Sequence, residues 1–305
     1  MSIELKAITK KFGSLVANDS IDLKVARGEI HAILGENGAG KSTLMNIVYG
    51  LAKADSGKIF VEDKEVIINE PADALRYGIG MVHQHFMLIP VFTVAENIAL
   101  GREESRGVFL TLDEVKKKIK ALADEFKFDI DPDALIEDLP VGVQQRVEII
   151  KALIYDAKVL ILDEPTAVLT PQETDELLNI MRTLKKKGTS IIFITHKLRE
   201  VKDVADKITI IRLGKVVGTT SPDTSQEDLA SMMVGRQVDL APNKSEIKPG
   251  RVILDVNKLN VANSLGRKII NSLSLQVKAG EILAIAGVQG NGQSELTRAI
   301  LNLED

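Results

Sequence analysis

Short apolar runs separated by polar turns dominate the pattern of the chain. Residues Ile3 to Ile8 and Ser20 to Val25 read as short strands that end in polar turns. Further runs are mostly apolar, as expected of strands buried on both faces of a sheet. These runs are Ile30 to Leu34, Val159 to Leu162 and Ser190 to Thr195.

Helical segments lie between these strands. Ser42 to Val48 is predicted as a helix that follows a glycine-rich loop, and Gln172 to Lys186 as a helix between the last two strands. From about Thr93 to Tyr155 the pattern is helical with lysine-rich polar faces, which indicates a helical insertion at about residues 93–155. Alternation of strands and helices implies a parallel sheet wrapped by helices.

The chain also contains an internal repeat. The octamer Gly28 to Gly35 is echoed by Gly280 to Gly287, and a glycine-rich loop follows in both places. A polar stretch at 239–250, with two prolines and little apolar material, reads as a linker. We therefore expect a first domain at residues 1–238. Residues 251–305 are expected to be the N-terminal fragment of a second, degenerate copy that stops before its later elements.

Composition narrows the class of protein. Of 305 residues, 45% are hydrophobic and 27% are charged, the balance of a globular protein. A net charge of −4 gives no basic field for nucleic acid. The absence of cysteine excludes disulfides, thiolate catalysis and Cys-ligated zinc. The apolar runs are shorter than the roughly 20 residues that cross a bilayer, and the N-terminus lacks a signal-peptide pattern. We expect a cytosolic protein that can dock on a membrane protein.

The first glycine-rich loop fits G-x-x-x-x-G-K-S between a predicted strand and a predicted helix, the context that this motif requires. Its residues are Gly35, Glu36, Asn37, Gly38, Ala39, Gly40, Lys41, Ser42 and Thr43. Glycines let backbone N–H groups point at phosphate oxygens, and the helix N-terminus adds partial positive charge. Lys41 would neutralise the β and γ phosphates, and the Ser42 hydroxyl would ligate Mg²⁺. The alternative is a glycine-rich turn with a surface lysine.

Two acids follow the buried run that begins at Val159. Asp163 and Glu164 stand where charge is costly unless a metal or hydrogen bonds compensate it. Asp163 is suited to hold Mg²⁺ through water, and Glu164 is suited to polarise an attacking water. Alternatively, both acids simply cap the helix beyond Pro165, an interpretation that the phosphate loop in the same chain disfavours.

These motifs, with Gln84 between them and His196 after the next strand, resemble those of the ATPase subunits of ABC transporters. The resemblance covers residues 1 to about 235 and again the fragment from about 251. It implies an α/β fold with a RecA-like P-loop core, an N-terminal antiparallel β subdomain and a helical insertion subdomain. It also implies an ATPase that uses ATP and Mg²⁺.

The resemblance assigns roles to three further residues. Phe12 would stack on adenine, a contact worth about 1–3 kcal/mol per base, and a core phenylalanine is the alternative. Gln84 would reach Mg²⁺ and the attacking water when the helical region swings in. His196 would contact the γ-phosphate and steady the water, whereas an isolated histidine at such a place is more often structural.

In this family, ATP lies between the phosphate loop of one ATPase half and a signature, L-S-G-G-Q, of the other. The matching segment here is Leu139, Pro140, Val141, Gly142, Val143 and Gln144. Pro140 replaces the serine that contacts γ-phosphate and offers neither a hydroxyl nor an N–H, and Val141 replaces the first glycine. Thr170 stands where an aspartate usually follows Leu169, which suggests an altered link between the two sites.

The second glycine-rich loop carries defects of its own. Gln293 replaces the lysine and Glu295 replaces the threonine, so a cation is lost and an acid is gained. If the halves pair head to tail, these defects and those of the signature fall in one weak composite site. The competent site would join a signature in a later C-terminal half with Lys41, Ser42, Asp163, Glu164 and His196. The 305-residue chain should therefore bind Mg-ATP but hydrolyse it slowly.

Two fused halves with a degenerate second loop resemble the ATPases of sugar and nucleoside importers. The stretches Met81 to Pro90 and Leu139 to Glu148 look most like the nucleoside branch. The resemblance implies three kinds of partner: two membrane permease subunits, the second ATPase half in the same full-length chain and, indirectly, an extracytoplasmic substrate-binding lipoprotein. It places the protein peripherally at the cytoplasmic face of the membrane, with no cargo pocket and no nucleic acid partner.

Two other functions remain as alternatives. One is a soluble ABC ATPase that acts on nucleic acid or the ribosome, although the sequence has neither long coiled-coil arms nor basic extensions. The other is a nucleotide-sensing module without hydrolysis, for which Pro140 and Gln293 are the motivation.

Overall fold

The computed structural model describes residues 2–83, 87–100, 105–106, 109–110, 112–154, 157–238, 249–262, 268–287 and 291–303. The chain divides into two compact units, Met1–Leu240 and Ala241–Asp305. Within the described ranges, no helix combines the length and the apolarity that a membrane span needs.

An antiparallel sheet opens the first unit. Its strands are β1 (Ile3–Phe12), β2 (Leu15–Val25), β4 (Ser56–Val61) and β5 (Lys64–Val66), in the order β2-β1-β4-β5. Alternate side chains of the first two strands are buried, as expected of half-buried strands; they include Ile3, Leu5, Leu23 and Val25. Both strands extend beyond the predicted runs because Phe12 pairs with Leu15 across the hairpin turn.

A six-stranded sheet forms the centre of the first unit. Its order is β12-β11-β3-β10-β9-β6. The strands are β3 (Ile30–Leu34), β6 (Ile79–Val82), β9 (Val159–Asp163), β10 (Ser190–Thr195), β11 (Lys207–Arg212) and β12 (Lys215–Thr220). All pairings are parallel except that of β11 with β12. The carboxyl ends of β3, β9 and β10 therefore meet at one edge, which is where ligands bind in sheets of this kind.

Helices pack on both faces of this sheet. They are α1 (Lys41–Tyr49), α2 (Pro71–Arg76), α6 (Pro171–Lys186), α7 (Leu198–Val204) and α8 (Gln226–Val234). On one face, Ile33 and Ile161 pack in a core with α1 and the antiparallel sheet. On the other face, Leu160 and Phe193 pack in a core with α6, α7 and α8. The alternation of strand side chains between the two cores explains why these runs are apolar at consecutive positions.

The predicted helical insertion has a small core of its own. Its helices are α3 (Val94–Ala99), α4 (Asp113–Phe126) and α5 (Val141–Leu153), with a 3₁₀ turn at Ile136–Asp138. Val94, Ile119 and Val147 meet in that core. The sequence pattern did not reveal two short antiparallel strands within the insertion, β7 (Ser105–Arg106) and β8 (Phe109–Leu110).

The second unit contains a hairpin and a helix in its described part. The elements are β13 (Val252–Ala262), β14 (Lys268–Lys278) and α9 (Gln293–Ile300), with Val261, Ile270 and Leu296 in a small core. Residues 281–287 repeat the sequence around β3 but do not form a strand, and Ile282 is 96% exposed. β3 pairs with a strand on each side, and an isolated strand lacks that stabilisation.

Candidate functional site

The glycine-rich loop of the first unit lies at the carboxyl end of β3 and leads into α1. Gly40 caps α1 with φ 100°, a left-handed conformation that favours glycine. A Cβ on Gly40 would lie 2.1 Å from the carbonyl oxygen of Ala17. The Asn18 amide donates a hydrogen bond of 3.0 Å to the Gly40 carbonyl. The loop therefore requires this glycine, and β2 holds its far end.

Lys41 is buried within the loop. It is 5% exposed, and its Nζ donates hydrogen bonds to the carbonyl oxygens of Gly35 at 2.8 Å and Glu36 at 2.9 Å. Burial lowers the pKa of the Lys41 ammonium, while the charges of Glu164 and Asp163 oppose that shift. An anion beside Nζ would stabilise the charged form of this side chain. The arrangement holds a buried cation ready for a phosphate.

Asp163 ends β9 with one carboxylate oxygen unsatisfied. It is 5% exposed, and burial raises its pKa, although the hydrogen bond from the Ser42 hydroxyl opposes the shift. Its Oδ1 has no hydrogen-bond partner in the described part of the chain. An orphaned buried oxygen of this kind calls for a cation or a donor.

The oxygens of Ser42 and Asp163 fit Mg²⁺. This ion takes hard oxygen ligands, and proteins usually bind it through one or two carboxylates together with substrate phosphates and water. Over the ranges that the structure covers, no cluster of three or more His, Cys, Asp or Glu side chains could hold a metal without such help. The site therefore suits a magnesium–nucleotide complex better than a free resident metal.

Glu164 and His196 form a pair at the same edge of the sheet. The His196 Nδ1 lies 2.9 Å from the Glu164 carboxylate, and the Glu164 side chain is 10% exposed. Glu164 has φ 49°, which is strained for a residue with a side chain, and its N–H donates to the Ile194 carbonyl at 2.9 Å. A carboxylate and an imidazole in this arrangement can together orient and activate a water molecule.

A cleft of about 620 Å³ connects the polar and apolar parts of the site. Lys41, Ser42 and Glu164 line its polar end, and Phe12 and Leu213 line its apolar end. Phe12 is 53% exposed, so it is not the core phenylalanine of the alternative interpretation. The cleft offers a ring for stacking at one end and a cationic loop for anions at the other, which suits a nucleoside triphosphate.

Most of the predicted nucleotide-binding residues are brought together here. Asn37, Gly38, Gly40 and Thr43 also line the cleft. Ala39 shapes the turn by donating its N–H to the Glu36 carbonyl at 3.1 Å. Gln84, predicted to reach Mg²⁺ and water, lies outside the described residues.

The signature segment starts α5 and lies away from this cleft. Pro140 is the N-cap of α5 and provides no side-chain hydrogen bond to it. The Gln144 amide donates to the Leu139 carbonyl at 2.9 Å. A Cβ on Gly142 would lie 2.2 Å from the Glu173 carboxylate, so this glycine permits the contact with α6. Val141 is 40% exposed at the first turn.

Thr170 has a clear structural role. Its hydroxyl accepts a hydrogen bond from the Glu173 N–H at 3.3 Å, and the Glu173 carboxylate accepts one from the Thr170 N–H at 2.9 Å. This capping box starts α6, with Pro171 at its first position. Threonine and aspartate both cap helices well. The replacement at this position therefore preserves the start of the helix.

Sequence reasoning missed two supports of the site. One is Asn18, which is fully buried, and the other is Glu200, which is 5% exposed on α7. Asn18 falls outside the alternating pattern of β2 because Ser20, with φ 52°, shifts the side-chain alternation. The sequence does contain a signal for Glu200, because this acid lies four residues after His196 and close to the apolar run that ends at Thr195.

The glycine that precedes α9 has a similar conformation to Gly40, but the chemistry beside it differs. Gly292 caps α9 with φ 94°. A Cβ on Gly287 would lie 2.1 Å from the amide nitrogen of Gln293, so that side chain folds against the loop backbone. Gln293 is neutral, whereas the first loop has a buried ammonium at the same motif position.

Comparison with known proteins finds similarity to ATP-binding proteins of ABC transporters. A family model described as "ABC transporter" matches residues 18–167. The chain is 51% identical over 302 residues to the nucleoside import ATP-binding protein NupA of Lactococcus lactis subsp. cremoris (strain MG1363), with 99% of this chain and 60% of the relative covered. It is 46% identical over 330 residues to the glucose import ATP-binding protein TsgD13 of Haloferax volcanii, again with 99% and 60% covered.

A solved structure matches most of the chain. It is the ADP conformation of MJ1267, an ATP-binding cassette of an ABC transporter, with TM-score 0.66, 28% identity, and 76% of this chain and 94% of that chain covered. The expected α/β fold with its antiparallel β subdomain is thereby confirmed. The chain spans about 60% of the length of the curated relatives that it matches.

Proposed function

The chain carries an ATP-binding domain of the ABC transporter ATPase family, and from that premise we propose that its first unit binds Mg-ATP and hydrolyses it to power an importer. The observation that carries the proposal is the single cleft that Phe12, Lys41 and Glu164 line together. The proposed cargo is a nucleoside or, as the second choice, a simple sugar. The higher identity to the nucleoside import protein supports this order.

The residues of the first unit divide the work of binding. Phe12 stacks on the base at the apolar end of the cleft, and Lys41 exchanges its two carbonyl contacts for the β and γ phosphates. Backbone N–H groups at the start of α1 add donors and partial positive charge. Ser42 and Asp163 hold Mg²⁺, which would neutralise the charge of the transferred phosphoryl group.

Glu164 and His196, beside the loop, are the residues proposed to catalyse hydrolysis. Glu164 lines the cleft with a side chain that is 10% exposed, and it accepts a proton from the attacking water. His196, 47% exposed, can contact both the Glu164 carboxylate and a γ-phosphate that enters the cleft. We also propose the predicted role for Gln84, which is to reach Mg²⁺ and the attacking water.

Full activity requires a second ATPase half. The signature segment of this chain has Pro140 at the serine position, where it cannot donate to a phosphate, and the second loop carries Gln293 in place of a lysine. We expect the competent site to combine the Lys41 loop with a signature from a C-terminal half. The chain of 305 residues should bind Mg-ATP well and turn it over slowly.

Membrane permease subunits are the proposed partners of the ATPase. A cleft of about 250 Å³ lies between α1, α2 and α5, and it is lined in part by Leu51, Met87 and Leu100. These side chains are 47%, 58% and 49% exposed. Clustered exposed apolar side chains are typical of interaction sites. We propose that a permease helix docks here at the cytoplasmic face of the membrane, with a substrate-binding lipoprotein on the opposite side.

The experiment that tests the function is Glu164→Gln in the 305-residue chain. The substitution removes the general base and leaves the volume of the side chain unchanged. Turnover of Mg-ATP, measured by phosphate release, should fall by roughly 10²–10⁴-fold while ATP affinity stays within about threefold. Unchanged turnover would show that Glu164 is not the base, and undetectable turnover in the unmodified chain at high protein concentration would contradict hydrolysis.

A nucleotide-sensing module is the second candidate, because Pro140 and Gln293 both weaken the composite site that they share. The two functions separate when the chain is measured with its permeases and C-terminal half. Transport that depends on ATP hydrolysis supports the importer. A complex that binds ATP, changes conformation and releases no phosphate supports sensing.

A further inference from the structure

One buried carboxylate ties together the segments that follow β9 and β10. Glu200, on α7, is 5% exposed. Its Oε2 accepts hydrogen bonds from the Thr166 hydroxyl at 2.8 Å and from the Thr195 hydroxyl at 3.3 Å. Thr166 lies two residues after Glu164, and Thr195 directly precedes His196. A single side chain therefore holds both members of the proposed hydrolytic pair through their neighbours.

Lys197 completes this network. Its Nζ lies 3.2 Å from the Glu200 Oε1 and donates to the Thr166 carbonyl at 2.8 Å. Its backbone N–H donates to the Thr195 hydroxyl at 3.1 Å. The buried charge of Glu200 is thus paired with a cation and satisfied by hydroxyls. Removal of Glu200 would leave the Thr166 and Thr195 hydroxyls without the carboxylate that they share and Lys197 without its ion-pair partner, so the segments would lose their fixed arrangement.

The strained backbone of Glu164 makes this support necessary. A non-glycine residue at φ 49° costs about 1–3 kcal/mol and persists only when its surroundings enforce it. The two residues that follow Glu164 are both held in place. The Gln145 amide donates to the Pro165 carbonyl, and Glu200 and Lys197 hold Thr166. The network therefore fixes where the Glu164 carboxylate stands relative to His196.

We propose that Glu200 is a positioning residue for ATP hydrolysis: without touching nucleotide, it sets the placement of the Glu164 carboxylate against the His196 imidazole. This inference rests on the function proposed above. A displacement of a reacting group by about 1 Å can cost about 10²-fold in rate. Lys41 and Phe12 make no hydrogen bond to the network among the contacts described, so ATP binding should be preserved when Glu200 is replaced.

The test compares Glu200→Ala and Glu200→Gln with a matched control, Glu29→Gln, in the 305-residue chain. Glu29 is also a largely buried acid, which accepts from the Ala26 N–H at 3.0 Å and contacts His31 at 2.7 Å. It precedes the amino end of β3, at the opposite edge of the sheet. The control therefore reports the loss of a buried carboxylate far from the cleft.

We expect Glu200→Ala to lower kcat for Mg-ATP by about 10²-fold, with ATP affinity within about threefold. Glu200→Gln keeps an oxygen for the two threonine hydroxyls, so it should recover most of kcat. Glu29→Gln should keep kcat within about twofold even where its melting temperature falls as far as that of Glu200→Ala.

A double substitution separates positioning from general stability. In the Glu164→Gln background, Glu200→Ala should cost less than about threefold in kcat, because the group that it positions is already gone. Three results would overturn the positioning role while leaving the proposed function intact. The first is a loss of about 10²-fold in kcat when Glu200→Ala is added to the Glu164→Gln variant. The others are a kcat of Glu200→Ala within twofold of that of the unmodified chain, and a loss of ATP affinity in Glu200→Ala as large as its loss of kcat. An unmodified chain without any hydrolysis would overturn both.

Discussion

The two glycine-rich loops of this chain begin from the same backbone device and end in different chemistry. Gly40 and Gly292 cap their helices at φ 100° and φ 94°. Beyond that turn the first loop holds a buried ammonium with two carbonyl contacts, whereas in the second a neutral amide folds against Gly287. The repeat has therefore preserved the turn that starts the helix without preserving the cation.

The surroundings of the two loops differ as much as their side chains. β3 delivers the first loop to an edge where β9 and β10 supply Asp163, Glu164 and His196. In the described part of the second unit, the segment before the loop pairs with no strand, and Ile282 is 96% exposed. A glycine-rich loop becomes a site only when it carries a cation and neighbouring strands bring acids beside it. The predictions below test that difference.

The largest effect is expected when the first loop is given the chemistry of the second. Lys41→Gln removes the buried cation, and hydrogen bonds to charged groups contribute about 1.5–3 kcal/mol, so ATP affinity should fall by about 10–10²-fold. Titration calorimetry with Mg-ATP measures the loss. Lys58→Gln is the control, because Lys58 is a surface lysine with its side chain 59% exposed. Equal affinities for both variants would remove Lys41 from the site.

A second change tests the apolar end of the cleft. Phe12→Ala removes the exposed ring, and stacking of a base contributes about 1–3 kcal/mol, so ATP affinity should fall by about 5–10²-fold. Phe12→Tyr keeps a ring and should bind within about twofold of the unmodified chain. If alanine binds ATP as well as tyrosine does, the base lies elsewhere.

A smaller effect is expected when the second loop is given the chemistry of the first. The double substitution Gln293→Lys with Glu295→Thr, made in the Lys41→Gln background, restores a cation and removes an acid. We expect ATP affinity to rise by less than about tenfold, because no counterparts of Asp163 and Glu164 stand beside this loop in the described residues. A recovery as large as the loss from Lys41→Gln would show that the side chain alone makes the site.

The smallest effect concerns stability. Burial raises the pKa of Asp163, so its charged form destabilises the nucleotide-free fold at pH 7. This penalty shrinks as the pH falls through the raised pKa and is gone once the pH lies below the pKa of this group in the unfolded chain. Asp163→Asn should therefore stabilise the nucleotide-free chain by about 1 kcal/mol at pH 7, a gain that shrinks on acidification. Denaturant melts at pH 7 and pH 4 measure it, with Asp129→Asn, at an exposed acid, as control. A loss of stability at pH 7 would contradict the uncompensated carboxylate.

Local patterns in the sequence were sufficient for the parts of the fold that depend on neighbours along the chain. The apolar run at Ile30–Leu34 became β3, and that at Ser190–Thr195 became β10. The helix predicted from Gln172 begins one residue earlier, at Pro171, because Thr170 supplies the cap. Strong periodicity and strong capping residues leave few alternative local structures.

Features that depend on distant contacts could not be read from the sequence. The positive φ of Glu164 and the four-residue network around Glu200 arise only when β9, β10 and α7 come together. The segment at 281–287 repeats the sequence around β3 without forming a strand, because a strand forms only where partner strands are present. Sequence repetition alone does not specify that pairing.

The central claim is that one of the two loops binds nucleotide. Titration calorimetry of the unmodified 305-residue chain with Mg-ATP tests it most directly, with the Lys41→Gln variant measured beside it. We predict one ATP bound per chain, with that binding lost or weakened by about 10–10²-fold in the variant. Two equivalent sites per chain, or a single site that Lys41→Gln leaves unchanged, would contradict the account.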